Sequence, residues 1–220
     1  MRYYPLYLDL KEKLCAVVGG GEVAERKVGS LLEAQARVLV ISPRITPALR
    51  DLWEQGEIEC RVEAFAEPEI PDLFLVIGAT DDPPLNLRVA AWARRHKALV
   101  NLVDDAAGSD FIVPSWISQG DLIIAISTGG KSPALARKVR EELEAHYGPE
   151  YAELLELLGE VRGEVLARIP DSRTREAIFR ALVASDLLQL LRQGERERAR
   201  ERVREMIEEQ MTLHAKRAQE

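Results

Sequence analysis

Three consecutive glycines, Gly19, Gly20 and Gly21, separate a short apolar run from a segment with helical periodicity. The apolar run, residues 14–18, has the composition of a buried parallel strand. Gly19, Gly21 and Ala24 fit the pattern G-x-G-x-x-A, whose small residues allow a tight turn, a close approach to pyrophosphate and close packing of helix on strand. Because the pattern follows a strand and opens a helix, it predicts a dinucleotide-binding turn. A purely structural turn is the weaker alternative.

The first half of the chain alternates between strand-like and helix-like segments. Strands are predicted over residues 14–18, 37–41, 58–63, 73–77 and 99–103, and helices over residues 22–33, 46–54 and 84–95. Helical crossovers between strands produce a parallel sheet with both faces covered. We therefore predict the α/β fold class, with a Rossmann-like parallel-sheet domain over residues 1–112.

The second half of the chain has a different pattern. The predicted elements are a β-hairpin with strands at 111–116 and 122–127 around a turn at 118–121, a helix at 133–146, and further helices after residue 150 with breaks near 169–171 and 193–194. We predict that residues 113–148 form a small α+β segment. Residues 149–220 are predicted to form an all-helical C-terminal domain.

The composition and net charge of the chain indicate which kinds of partner and which cellular compartment to expect. The net charge of −7 does not favour a nucleic-acid partner. No apolar run approaches the roughly 20 residues that cross a bilayer, and the N-terminus lacks a signal peptide, so we expect a cytoplasmic protein without membrane contact. Cys15 and Cys60 lie in predicted strands, as small buried hydrophobes do. The charged stretch 195–220 predicts a solvated helix with opposite charges three or four residues apart, rather than an anion-binding arm.

The end of the second predicted strand lacks the acidic residue that usually binds the adenosine ribose. Ser42, Pro43 and Arg44 stand there instead. Arg44 could favour a 2′-phosphate, and hence NADP, or stack on adenine, or lie in solvent, and the sequence leaves these alternatives open. The predicted cofactor-binding residues are Gly19, Gly20, Gly21, Glu22, Val23, Ser42, Pro43, Arg44, Ala79, Thr80, Asp81 and Asn101.

Polar residues follow two other strands, at the edge of the sheet where ligands bind. Thr80 and Asp82 follow the strand at 73–77, and Asp82 is equally well interpreted as a helix N-cap. Asp104 and Asp105 follow the strand at 99–103. Adjacent carboxylates near the expected nicotinamide suit proton abstraction or metal contact, with a turn or cap role as the alternative.

A second candidate site is the turn Ser127-Thr128-Gly129-Gly130-Lys131-Ser132-Pro133. Ser132 is a predicted N-cap and Pro133 the first helical residue, so glycines, hydroxyls and a lysine surround a helix N-terminus that favours anions. The spacing G-x-x-x-x-G-K is absent, which excludes a P-loop. A capped helix with solvated basic residues is the alternative. The predicted substrate-binding residues are Thr128, Gly129, Gly130, Lys131, Ser132 and Arg137, the last about one turn beyond Pro133.

Taken together, five stretches resemble the precorrin-2 dehydrogenase family, the amino-terminal module of siroheme synthases. They are GGGEVAERK at 19–27, ATDD at 79–82, NLVDD at 101–105, DFIVP at 110–114 and ISTGGKSPALAR at 126–137. They follow the order of the family and span roughly residues 3 to 145. Each stretch alone is modestly specific, whereas the ordered set is highly specific.

The resemblance implies an oxidoreductase that uses NAD to convert precorrin-2 to sirohydrochlorin in siroheme or cobalamin synthesis. It implies a homodimer built partly through the segment after Phe111, so that 113–148 becomes a dimerisation segment. Asp104 matches the family's proposed catalytic aspartate. The family tolerates Ser-Pro after the second strand, so the missing acid does not argue against NAD. Thr128 stands where some members have serine, which puts regulation through a serine hydroxyl in doubt.

Two alternatives to a simple dehydrogenase remain. Some members of the family also insert iron or cobalt into sirohydrochlorin, and a non-catalytic nucleotide-sensing module would share the same first domain. His96, His146 and His214 form no recognisable ligand cluster, so no metal site is predicted. Because the methyltransferase extension fused to some relatives is not part of this sequence, we expect a separate protein to methylate uroporphyrinogen III.

Overall fold

The computed structural model describes residues 2–217, with side chains as far as residue 212. The chain divides into two compact units, Met1–Val113 and Pro114–Glu220. The predicted fold class is confirmed: a parallel sheet with covering helices is followed by a hairpin, a helix and a helical C-terminal region. The further division of the second unit at residue 148 stays a prediction.

The first unit is built on a five-stranded parallel sheet. Its strands are β1 (Leu14–Val18), β2 (Arg37–Ile41), β3 (Glu59–Arg61), β4 (Leu73–Gly78) and β5 (Leu99–Leu102), and its helices are α1 (Glu22–Glu33), α2 (Pro47–Glu54) and α3 (Pro83–Arg95). The strand order is β3-β2-β1-β4-β5, and all four pairings are parallel. The connection reverses direction between β1 and β4, and ligands bind in the crevice outside the strand ends at such a switch point.

Strands β1, β2, β4 and β5 are mostly buried on both faces, whereas Glu59 and Arg61 of the edge strand β3 are exposed. Successive residues of a strand point to opposite sides, so Val17 packs with α1 and α2, while Val18 packs with α3. Ala24 of α1 is fully buried against β1. The small side chain at the third position of the glycine pattern therefore serves close helix–strand packing, as predicted.

The second unit consists of a hairpin and five helices among the residues described. These are β6 (Ser115–Gln119), β7 (Leu122–Ile126), α4 (Pro133–His146), α5 (Glu150–Arg168), α6 (Ser172–Val183), α7 (Leu187–Arg192) and α8 (Arg196–Arg217). The start of α4 at Pro133 and its end at His146 agree with the prediction. The break between α6 and α7, which contains Ser185 and Asp186, was not predicted.

The hairpin begins later than the sequence predicted. Its first strand starts at Ser115, and Gln119 pairs with Leu122, so the turn contains only two residues. The apolar residues around Phe111 belong to the first unit instead, because the Asn101 amide donates to the Phe111 carbonyl at 3.0 Å. The prediction of strand at 111–114 is therefore wrong, and the reason is a hydrogen bond between residues ten positions apart.

Side chains of the charged C-terminal helix, α8, form ion pairs both within the helix and with other helices. Pairs three residues apart within the stretch, such as Arg200 with Glu197, confirm the predicted pattern. In addition, Arg196 forms two hydrogen bonds with Glu153 of α5, at 2.9 and 2.6 Å. These bonds hold the pKa of the Glu153 carboxyl below its usual value. No helix within the described residues is long and apolar enough to span a membrane.

We expect the two cysteines to react more slowly with a thiol-labelling reagent than exposed cysteines do. Cys15 is fully buried in β1, and burial raises the pKa of its thiol to about 12. Burial also raises the pKa of Cys60. Because the thiolate is the reactive form, iodoacetamide at about pH 8 should leave Cys15 of the native protein unmodified, as measured by peptide mass, and should modify both cysteines after unfolding. Rapid native labelling of Cys15 would contradict the burial described.

Candidate functional site

The first two glycines of the turn are required by the protein's own packing. Gly19 has φ +127°, and a Cβ there would overlap the carbonyl group of Ala79. A Cβ on Gly20 would overlap the Arg44 carbonyl oxygen and would lie 2.8 Å from Ser42 Oγ. The loops that follow β2 and β4 can therefore approach the end of β1 only because these residues lack side chains.

Gly21 is different, because nothing in the protein requires a glycine there. Its φ is −88°, and a Cβ would meet no atom within 4 Å. The open space lies at the start of α1, where no side chain caps the helix. By contrast, Thr46, Asp82 and Ser132 cap α2, α3 and α4. An uncapped helix N-terminus below an open cradle is the arrangement that binds a pyrophosphate.

The contacts predicted for Glu22 and Val23 would be made through their backbone N–H groups. These are the first residues of α1, and the orphan N–H groups of a helix lie in its first turn. Glu22 and Glu25 place two carboxylates in the same turn. Since carboxylates repel phosphate, only the backbone of this turn suits a phosphate ligand.

The loop after β2 is held against the glycine turn. Ser42 is buried, and its hydroxyl donates to the Arg44 carbonyl oxygen at 2.7 Å. The Thr46 N–H donates to the Gly20 carbonyl oxygen at 3.0 Å. The Arg44 side chain is exposed. Ser42 therefore stabilises the loop. The exposed Arg44 side chain remains accessible to solvent or to a ligand at the strand ends.

At the end of β4, an asparagine that sequence reasoning missed organises the loop. Asn86 is buried on α3, its amide donates to the Thr80 carbonyl oxygen at 3.0 Å, and its Oδ1 accepts from the Thr80 hydroxyl at 2.8 Å. Asp82 accepts from Leu85 N–H and caps α3, as its alternative interpretation predicted. Asp81 is exposed. The signal for Asn86 was a polar residue on the buried side of a helix that opens beside the site.

The two aspartates after β5 have different environments. Asp105 Oδ1 accepts from the N–H groups of Ala107 and Gly108 at 3.0 and 2.9 Å, so this carboxylate shapes the turn. The Asp104 side chain is exposed, and its backbone has φ +65°. Ser109 closes the loop, since its Oγ accepts from Leu102 N–H at 2.8 Å and donates to the Asp105 carbonyl at 2.6 Å. The loop therefore presents Asp104 and uses Asp105 to support it.

A lysine of α1 lies in the electrostatic field of Asp104. Lys27 is half-buried, and burial together with Arg26 lowers the pKa of its ammonium, while the charge of Asp104 opposes that shift. Val103 packs against the same apolar cluster as Ala24 and so connects the β5 end with α1. The glycine turn, α1 and Asp104 thus belong to one edge of one sheet, where a dinucleotide and a proton acceptor can meet.

The second candidate site, the turn at 127–132, is described within its own unit. Thr128 Oγ1 donates to the Ser132 carbonyl and accepts from Ser132 N–H, each at 3.2 Å. Gly129 and Gly130 have φ of +63° and +81°, and Lys131 is exposed. The turn is therefore built by its own hydroxyls, and it leaves the Lys131 ammonium accessible at the start of α4.

Arg137 is not directed to this turn. Its Nε donates to Glu141 Oε1 at 2.9 Å, one turn further from the start of α4. The expectation that Arg137 adds a charge at the helix N-terminus is not met in this arrangement. The ion pair with Glu141 is exposed, and exposed ion pairs contribute little to stability. The role of Arg137 as a substrate-binding residue therefore stays a prediction.

Within residues 2–212, no group of three or more His, Cys, Asp or Glu side chains could hold a metal ion. His96 is linked to the carbonyl oxygen of Trp92 through Nδ1 at 2.9 Å, which is a packing role. His146 lies edge-on to Tyr147. The side chain of His214 lies outside the described residues.

Comparison with known proteins gives three family matches in chain order. Residues 6–115 match a family described as NAD(P)-binding. Residues 119–146 match the central region of sirohaem biosynthesis proteins, and residues 150–207 match the sirohaem synthase dimerisation region. The glycine turn and Asp104 both lie in the first match.

Individual relatives agree with these matches. Siroheme synthase 1 of Serratia proteamaculans is 42% identical over 169 residues, which cover 77% of this chain and 36% of that protein. Siroheme synthase 1 of Klebsiella pneumoniae is 37% identical over 194 residues, covering 88% of this chain and 41% of the relative. This chain therefore spans less than half the length of these relatives.

A solved structure shares the fold. The structure of SirC, precorrin-2 dehydrogenase, superposes with a TM-score of 0.73 at 24% identity, over 92% of this chain and 100% of the other. At that identity the likeness concerns the architecture, including the helical C-terminal region.

Proposed function

Because this chain belongs to the sirohaem synthase family, with an NAD(P)-binding domain followed by a central and a dimerisation region, we propose that it oxidises precorrin-2 to sirohydrochlorin with NAD⁺. The observation that carries the proposal is the meeting of two features at one sheet edge. The open, uncapped start of α1 at Gly21 suits a pyrophosphate. Asp104, presented by the loop after β5, is an exposed carboxylate on the same edge.

The reaction removes two hydrogens from the tetrapyrrole, one as a hydride and one as a proton. When bound, NAD⁺ supplies the hydride acceptor, and NADH is the product. Asp104 accepts the proton, directly or through a water molecule, and releases it to solvent. Asp105 and Ser109 hold the loop so that the Asp104 carboxylate stays at the strand end.

The substrate adds a requirement for positive charge, since precorrin-2 carries many carboxylate side chains. The turn at 127–132 supports this part of the proposal, because Lys131 and the start of α4 form a region that favours anions. Thr128, Gly129, Gly130 and Ser132 build the turn. We propose that this turn binds substrate carboxylates.

We further propose that the enzyme is a cytoplasmic homodimer. The match of residues 150–207 to a dimerisation region supports the pairing of two copies, and we propose that residues 113–148 contribute to the contact. Free Cys15 and Cys60 fit a reducing compartment.

The test is an anaerobic incubation of the purified chain with precorrin-2 and NAD⁺. We expect NADH and sirohydrochlorin to form in equal amounts, measured by their absorbance. A reaction without NAD⁺ serves as the control for spontaneous oxidation of the tetrapyrrole. If neither product forms above that control, the proposed function is wrong. NAD⁺ binding without turnover would favour the nucleotide-sensing alternative instead.

A further inference from the structure

We propose that the second unit carries an accessory binding site for a flat, apolar polycarboxylate of the tetrapyrrole class, in a groove formed by α5 and α6. The groove has a volume of about 690 Å³, which lies within the range of roughly 300–1,000 Å³ typical of small-molecule sites. The choice of ligand class rests on the proposed function. The groove itself contains none of the residues proposed above for catalysis or substrate binding.

The floor of the α5–α6 groove is apolar and open to solvent. Leu166 of α5 is 48% exposed and Val183 of α6 is 62% exposed, although both are large apolar side chains. Phe179 lies four residues before Val183, so the two share one face of α6. The core-facing residues of the same helix, Ile178 and Leu182, are at most 1% exposed. The helix therefore has an apolar face in addition to the one that packs in the core, and exposed apolar surface of this kind marks binding sites.

Two arginines are positioned at the edge of this floor by contacts with uncharged groups. The Arg162 guanidinium lies over the Phe179 ring, 5.8 Å from its centroid. Arg175 Nη1 donates to the two backbone carbonyl oxygens that follow α5, at 2.9 and 2.6 Å. Among the described residues, the arginines of α5 and α6 that form ion pairs are Arg168 and Arg180, and not these two. Both guanidinium charges are therefore uncompensated, and each presents several donors that suit carboxylate oxygens.

The groove is positively charged in a chain that is acidic overall. Eight residues line it, of which four are apolar, three are arginines and one, Glu176, is acidic. Glu176 pairs with Arg180, so the other two arginines give the groove a positive charge, whereas the whole chain carries −7. The complementary ligand is an apolar molecule that carries carboxylates. A tetrapyrrole has this chemistry, because its ring is flat and apolar and its carboxylates lie at the periphery.

Size and charge favour such a molecule over a protein. A standard protein–protein interface has roughly 20–30 residues on each side, whereas eight residues line this groove. A second copy of the chain is the other occupant to consider, because residues 150–207 match a dimerisation region. In a two-fold interface the same surface meets itself, so this groove would place arginines against arginines. The charge of the groove therefore favours a polyanion.

The experiment titrates the full chain with uroporphyrin, a stable and fluorescent tetrapyrrole polycarboxylate, and follows its fluorescence. We expect Val183→Glu to weaken binding by about tenfold or more, because it places a carboxylate on the groove floor, and Arg162→Ala to weaken it by about threefold or more. Leu155→Glu is the matched control, since Leu155 is an exposed apolar residue of α5 that does not line the groove. That variant should bind like the parent.

Uroporphyrin can also bind at the turn 127–132, so each titration is repeated with Lys131→Ala added. The loss caused by Val183→Glu should be the same with and without that change, because the groove and the turn share no residue. A loss that disappears when Lys131 is replaced would assign the binding to the turn and overturn the inference. Circular dichroism of each variant checks that the helices are retained.

The remaining outcomes separate the groove from its alternatives. Parental uroporphyrin affinity in Val183→Glu overturns the inference, as do equal losses in Val183→Glu and Leu155→Glu. If Val183→Glu binds uroporphyrin like the parent but dimerises more weakly in sedimentation velocity, the groove belongs to a second copy of the chain. Uroporphyrin binding that Val183→Glu abolishes, in a parent protein that does not oxidise precorrin-2, would support the groove and overturn the proposed function.

Discussion

Replacing Gly21 with valine is expected to abolish measurable NAD⁺ binding while the protein stays folded. The added side chain would occupy open space and meet no protein atom within 4 Å at Cβ. A backbone with φ −88° accommodates any residue. The same space is where the pyrophosphate must approach the first turn of α1, so the side chain excludes the ligand. We expect affinity to fall by about a hundredfold or more, which corresponds to about 2.7 kcal/mol.

The measurements are NAD⁺ affinity by calorimetry and thermal unfolding by circular dichroism. The matched comparison is Gly19→Val, in which φ +127° and the Ala79 carbonyl both oppose a side chain. That variant should lose folded stability, whereas Gly21→Val should unfold close to the parent, apart from about 1 kcal/mol for a poorer N-cap. Near-parental NAD⁺ affinity in Gly21→Val would mean that the cradle is not the dinucleotide site.

The sequence predicted much of the first unit because strong local signals end its elements. The glycines fix the end of β1 and the start of α1, and the observed α1, Glu22–Glu33, has the predicted bounds. Pro133 after Ser132 likewise fixes the start of α4, since proline is favoured at the first helical position. Where a turn or cap is chemically specified by adjacent residues, local sequence is sufficient.

Features set by distant residues could not be predicted. The apolar run at Phe111 has strand-like composition, yet the Asn101 amide holds it in the first unit. β3 is also shorter than predicted, Glu59–Arg61 rather than residues 58–63, because only three of its residues pair with β2. Neither outcome is encoded in the composition of the segment, since each depends on which partner lies beside it.

The same limit applies to the candidate site. Asp104 and Asp105 are adjacent and chemically identical, so the sequence could assign proton abstraction or a turn role to both. The loop separates them, because Asp105 receives two backbone N–H groups and Asp104 faces solvent.

Because Asp104 rather than Asp105 faces solvent, we expect its replacement to have the second large effect, on the rate of the reaction. Asp104→Asn is expected to lower the rate of NADH formation from precorrin-2 by about a hundredfold or more, which is the range for loss of a general base. Asparagine has the same shape and, like aspartate, tolerates the left-handed backbone at φ +65°, so the loop should keep its form. NAD⁺ affinity should stay near the parental value, because the amide removes a proton acceptor without adding bulk.

Asp105→Asn is the matched control for that variant. The structure uses only Oδ1 of Asp105 to accept from Ala107 and Gly108, and an asparagine Oδ1 can accept both bonds. Its rate should therefore remain within a few-fold of the parent in the same anaerobic assay. Equal losses in both variants would mean that the rate depends on the shape of the loop rather than on the Asp104 carboxylate. A parental rate in Asp104→Asn would remove that carboxylate from the mechanism and require another proton acceptor at this edge.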